Sequence, residues 1–273
     1  MRKPEQAIKT TELMLDALGL SKKNIADLQN IPITRILAAQ VAITTSRLMF
    51  TPVMGNDFLP HHPFYPEAPL ESADIPVIIS SALDDAAVGL ANFDLTEEEL
   101  KASLKKECSE KVDRIYKMYR DAFPDVKPFL IQVRMATDRS FRKNAIKQAE
   151  LKASQPGAPV YYYLWQWPVP TYNGKFGAVH GVDVGAAIHL YREPVTSCGF
   201  SEGMLMVDRL SSAWSNFAKT GNPDSNLIPH WPAYNTDTRP TMVFDVNTRV
   251  ENDYLGDFRL LWEELMGEAT MLA

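Results

Sequence analysis

Two stretches of this chain set reactive side chains just beyond apolar runs. "PVIISSALDDAA" (76–87) ends in the carboxylates Asp84 and Asp85, and "VYYYLWQW" (160–167) leads into a loop where Gly177, Ala178 and Gly181 flank His180. An acid that orients an imidazole, and an imidazole that moves a proton, are two of the three parts of a hydrolytic triad. Each residue also has a plainer use. Asp84 or Asp85 is suited to cap a helix opening at "AAVGL", where a carboxylate meets free N–H groups and the positive end of the dipole. His180 equally fits a hydrogen-bonded histidine in a turn.

The third part, a nucleophile, has one superficial candidate. "GFSEG" (199–203) fits G-x-S-x-G, but a nucleophile elbow needs a strand running straight into the serine. The preceding "REPVTSC" holds no strand-length apolar run, and Ser201 follows both Asp85 and His180, against the order serine, acid, histidine. Ser201 is read instead as the N-cap of a helix, with Glu202 in its first turn. The other histidines offer less. His61 and His62 adjoin in a proline-rich loop without a further ligand at metal-binding spacing. His189 reads as a partly buried core residue, and His230 as a loop residue before Trp231.

The positioning elements follow from periodicity. An amphipathic helix runs from Pro4 to Leu20 with Ala7, Leu13, Leu15, Ala17 and Leu18 on one face and Gly19 as its stop. A second spans about Ile33 to Leu48. The proline-rich segment 52–76 is irregular, because neither a helix nor a central strand accepts proline at that density. Residues 76–83 form a buried strand, and Thr96 with Glu99 opens, as a capping box, a long helix to Phe123. Helix resumes from Pro128 to Ser154, and Val160–Trp167 makes a second buried strand whose aromatic run is core, since no basic residue interleaves with it. A helix over 202–220 ends at Gly221. Thr241–Val246 is a third strand, and a last helix covers 258–265. Strands alternating with long helices predict an α/β fold with a mostly parallel sheet flanked by helices. Reactive groups in such a sheet gather beyond the carboxyl ends of the strands, which is where Asp84, Asp85 and His180 lie.

The 273 residues are 45% hydrophobic and 23% charged with net charge −6, the composition of an ordinary globular protein. Lysines and arginines are mixed with acids rather than gathered in a stripe, which excludes nucleic acid as a partner. No apolar run approaches the ~20 residues of a membrane-spanning helix. Cys108 and Cys198 are read as free thiols.

"FTPVMGNDFLPHHPF", "ADIPVIISSALDDAA", "MATDRSFR", "GAVHGVDV", "SSAWSNFAKTGNP" and "HWPAYNTDTRPTMVFD", in this order over nearly the whole chain, resemble the type-B carboxylesterases, the family of para-nitrobenzyl esterases and cholinesterases. The resemblance implies an α/β-hydrolase fold, hydrolysis of small-molecule carboxylic esters by a Ser-acid-His triad, and no cofactor. His180 in "GAVHGVDV" matches the family's catalytic histidine. Asp85 matches its triad acid, more often a glutamate, so the shorter side chain requires a closer backbone or orients His180 less well. "VMGNDFLP" departs from the family's usual Asp-Gly. Nothing matches the glycine-rich oxyanion segment or the strand-borne G-x-S-x-G of the family's N-terminal half. The chain therefore reads as the C-terminal part of such a domain, 1–273, with 96–155 as a mainly helical insertion. It supplies acid and histidine without the nucleophile, is inactive alone, and has the N-terminal half as its partner. The compartment stays open, because a leader would belong to that half. The competing reading is a nonenzymatic, cholinesterase-like binding module.

Overall fold

The structure, a computed structural model, describes residues 1–44, 50–108, 111–192 and 199–266. It divides into two compact units, Met1–Pro66 and Glu67–Leu272.

In the first unit α1 (Pro4–Leu18) packs on α2 (Ile33–Thr44). Gly19 ends α1 in the left-handed conformation at φ +71°, donating its N–H to the Asp16 carbonyl. The buried face differs from the predicted one. Leu15 and Leu18 are inside, but Leu13 and Ala17 are exposed and Thr10 takes an interior place. Thr10 is tolerated there because its hydroxyl accepts from Arg2 Nη1 at 2.8 Å and donates to the Gln6 carbonyl at 3.0 Å. The predicted end of α2 lies outside the described residues.

The second unit holds a four-stranded sheet: β1 (Val77–Ala82), β2 (Val160–Trp165), β3 (Pro240–Phe244) and β4 (Arg249–Asn252), in that spatial order. The first three strands are parallel, with Val77 opposite Val160, Ala82 opposite Trp165 and Tyr163 opposite Met242. β4 runs antiparallel to β3 and was missed in the sequence, because "RVEN" is short, charged and only half-buried. β2 is interior on both faces. Tyr161, Tyr163 and Trp165 join Met206, Val207 and Leu210 of α8 (Ser201–Thr220) in one core. Val160 and Tyr162 join Ile146 and Ala149 of α6 (Lys143–Ala153) in another. A strand covered by helices on both sides reads as a continuous apolar run, which is why this one was legible.

Between β1 and β2 lie α3 (Glu97–Cys108), α4 (Val112–Ala122), α5 (Pro128–Thr137), a π-helical turn (Asp138–Arg142) and α6. The capping box is present: Thr96 N–H donates to Glu99 Oε2 at 2.9 Å and Glu99 N–H to Thr96 Oγ1 at 3.2 Å. The single long helix to Phe123 is not. Leu100 and Leu104 of α3 share one core with Ile115 and Tyr119 of α4, Ile131 and Met135 of α5, and Phe258, Leu261 and Trp262 of α9 (Gly256–Met266). A straight helix would hold Leu100 and Tyr119 about 28 Å apart at 1.5 Å per residue, so sharing a core requires the break. Tyr119 fixes this core, donating to Asp138 at 2.5 Å and accepting from Trp262 Nε1 at 2.8 Å. Burial, reinforced by the Asp138 carboxylate, pushes its phenol well above the ordinary tyrosine range. A short helix α7 (Val184–Ala187) follows the loop after β2.

Candidate active site

Because β1 and β2 are parallel and in register to their last residues, their carboxyl ends lie side by side, and the ladder continues with Leu83 N–H donating to the Trp165 carbonyl at 2.9 Å. Asp85 begins the 3₁₀ turn 85–89 just beyond β1. His180 ends a loop that leaves β2, turns back where Val169 N–H donates to the Gly177 carbonyl at 2.9 Å, and packs Phe176 and Val179 against Phe93, Phe129 and Val133.

The structure brings Asp85 and His180 together, 95 positions apart in the chain, with Oδ1 2.7 Å from Nδ1. An ionised carboxylate only accepts, so Nδ1 carries the proton and Nε2 is left free to take one. The acid is sunk, at 8% side-chain exposure, while the imidazole is 58% exposed. Asp85 Oδ2 accepts from Ala82 N–H at 3.0 Å, so both its oxygens are engaged and the side chain is fixed on two sides. Phe141 stands beside the imidazole, ring centroids 5.8 Å apart.

Asp84 behaves differently from its neighbour. Its side chain makes no capping bond to the 3₁₀ turn. It turns inward, pairs with Arg134 Nε at 2.8 Å and accepts the Ala178 N–H at 2.9 Å. One more interior group escaped the sequence reading. Asp183, three residues past His180, accepts from Tyr163 OH at 2.6 Å, and burial raises its carboxyl above the usual range against the lowering effect of that bond. The only sequence signals for it are the short His-x-x-Asp spacing and an aromatic residue pointing off the neighbouring strand.

The remaining candidates lie apart from this arrangement. Ser201 is the first residue of α8, after Phe200 as N-cap, not the cap itself, and its hydroxyl donates to Glu202 Oε2 at 3.0 Å. His189 is exposed rather than core, at φ +63° just past α7, 3.2 Å from Asp208. A four-residue helix is too short to bury it. His230 is exposed and pairs with Asp224 at 2.8 Å. Among the described residues no three His, Cys, Asp or Glu side chains converge on a metal site, and no helix is long and apolar enough to cross a membrane. Cys198 lies outside the described residues.

Fold and site together define a class: a mostly parallel sheet between helices, with an acid and a histidine side by side at its carboxyl end, is the architecture of an α/β-hydrolase. Solved structures agree. A carboxylesterase of Geobacillus stearothermophilus superposes with TM-score 0.71 at 26% identity over 96% of this chain and 55% of that one. A PNB esterase superposes with TM-score 0.68 at 25% identity, over 96% and 55%. The model of the Carboxylesterase family matches residues 3–258, and the chain belongs to that family. Among relatives, the para-nitrobenzyl esterase of Bacillus subtilis (strain 168) is 28% identical over 91% of this chain and 51% of its own length. The acylcarnitine hydrolase of Mus musculus is 30% identical over 72% and 38%. The chain thus spans about half the length, or less, of the relatives it matches.

Proposed function

We propose that this chain supplies the general base and its orienting acid to a serine carboxylesterase acting on small-molecule esters. The observation that carries the reading is the 2.7 Å contact between His180 Nδ1 and Asp85 Oδ1 at the carboxyl end of the sheet. A serine from a segment outside these 273 residues attacks the ester carbonyl. His180 Nε2 takes the serine proton and returns it to the leaving alcohol, and Asp85 holds the Nδ1–H tautomer and stabilises the imidazolium. Water then repeats the sequence on the acyl-enzyme. Backbone donors for the oxyanion come from the same outside segment and supply the main electrostatic contribution. The intact acid–histidine pair supports this reading over a nonenzymatic binding module, which has no use for an oriented base.

The test is hydrolysis of a para-nitrophenyl ester. The 273-residue chain alone is expected to show no turnover above background. Joined to a half-domain bearing the glycine-rich segment and the strand-borne G-x-S-x-G, it is expected to turn over, with Asp85→Asn lowering kcat by about 10⁴ and KM little changed. An Asp85→Asn enzyme within tenfold of its parent overturns the proposal. Turnover by the chain alone that Ser201→Ala abolishes would make Ser201 the nucleophile instead.

A further inference from the structure

Asp85 and His180 arrive from segments nearly a hundred residues apart, and an aspartate's carboxyl carbon stands only two bonds from its Cα. Their 2.7 Å contact therefore depends on how closely the two backbones are drawn together. One residue draws them. Asp84 N–H donates to the Ala178 carbonyl at 3.0 Å, and Ala178 N–H donates back to Asp84 Oδ2 at 2.9 Å, so residue 178 is gripped through both its polar backbone groups. That grip lies one residue before the acid and two before the histidine.

The gripping carboxylate is itself held. Asp84 is 2% exposed and its other oxygen accepts from Arg134 Nε at 2.8 Å. The Arg134 guanidinium lies over the Phe123 ring, 4.2 Å from its centroid. A second tie from α5 meets the same turn, Ala86 N–H donating to Thr137 Oγ1 at 3.0 Å. The fit is close enough to require glycine at 177, where a Cβ would lie 2.2 Å from Asp84 Oδ2. A buried charge-assisted bond of this kind is short and directional.

We infer that Asp84, locked by Arg134, is the positioning residue of this site: it clamps the histidine loop to the acid turn and so sets the Asp85–His180 hydrogen bond. The inference rests on the pair having the roles proposed above, but its consequence is a proton's location, which is measurable without turnover. With the clamp closed, His180 carries its proton on Nδ1; with the clamp open, the ring reverts to the tautomer mixture of a free imidazole.

The experiment is ¹⁵N NMR of the imidazole nitrogens of His180 in the full 273-residue chain, at a pH where the ring is neutral. The double variant Asp84→Ala/Arg134→Met removes the carboxylate's half of the clamp, the bond from Ala178 N–H, without stranding a buried charge. It is expected to lose the Nδ1–H signature and give the shifts of free imidazole. Asp84→Asn/Arg134→Gln, whose amide oxygen still accepts from Ala178, is expected to restore it. A folded Ala/Met variant with wild-type shifts overturns the inference. Amide exchange on the unmodified chain tests it should that variant not fold: an Ala178 N–H exchanging as fast as the exposed Asn173 N–H also overturns it. Failure of the esterase reading shows elsewhere, as retained turnover by Asp85→Asn in the complete enzyme, and leaves the tautomer result standing.

Discussion

Gly177→Ala is the substitution whose cost the structure lets one work out. Gly177 sits at φ +60°, so an L side chain there incurs about 1–2 kcal/mol of left-handed strain. The larger cost is steric: the new Cβ would lie 2.2 Å from Asp84 Oδ2 and 2.6 Å from its Cγ, where ordinary contact begins at 3.4 Å. Asp84 cannot step aside freely, because Arg134 and Ala178 hold its two oxygens. A retreat of about 1 Å takes Oδ2 beyond hydrogen-bond range of the Ala178 N–H. Losing that bond to a buried charged acceptor costs about 1.5–3 kcal/mol. With strain added, the total is about 2.5–5 kcal/mol, which for a unit of this size lowers Tm by roughly 5–20 °C. Gly181→Ala is the control, since Gly181 has φ +75° but nothing within 4 Å of its Cβ position. It should cost the strain alone. Thermal melts of the two variants by circular dichroism measure the difference, and equal Tm values for both would refute the claim that Asp84 is pinned.

Three further outcomes are expected. Tyr162 has its phenol pushed up to about 12, chiefly by burial, while its OH lies 2.8 Å from Ser81 Oγ. The folded value lies above the unfolded value of about 10, so the stabilisation is full below pH 10 and falls by about 1.4 kcal/mol per pH unit toward 12. Tyr162→Phe should make the fall of unfolding free energy with rising pH shallower by one proton's worth, as denaturant titrations between pH 9 and 12 would show. Arg142→Met should cost about 3–5 kcal/mol, because it strands the buried carboxylate of Asp138, now 2.6 Å from Arg142 Nε; adding Asp138→Asn should recover part of the loss in equilibrium unfolding. Leu210→Ala, at a fully buried position between α8 and the sheet, should cost about 2–5 kcal/mol with unchanged far-ultraviolet dichroism.

Elements whose signals are local were legible in the residues alone. β2 and β3 announced themselves as apolar runs because each is covered on both faces; β1 gave the same signal although it is an edge strand, where Val77 and Ile78 are only half-buried and Ser80 is exposed. Gly19 and Gly221 marked helix ends because only glycine takes the left-handed conformation there without strain. Thr96 and Glu99 marked a start because their reciprocal bonds span three residues. An acid and a histidine at strand ends were legible too, and the motifs around them carried the family.

Tertiary structure decided what depends on partners distant in the chain. β4 exists because the edge of β3 gives four half-polar residues a ladder to join. The break between α3 and α4 follows from a shared core that includes α9, more than a hundred positions away. His189 is exposed because the helix before it ends after one turn. Adjacent aspartates are equivalent to any rule of composition or spacing, and here they part company completely. Asp85 faces His180 and Asp84 turns to Arg134 and Ala178. Which carboxylate meets the imidazole is set by where a cation and a free backbone N–H lie in space, and a linear sequence carries no such coordinate.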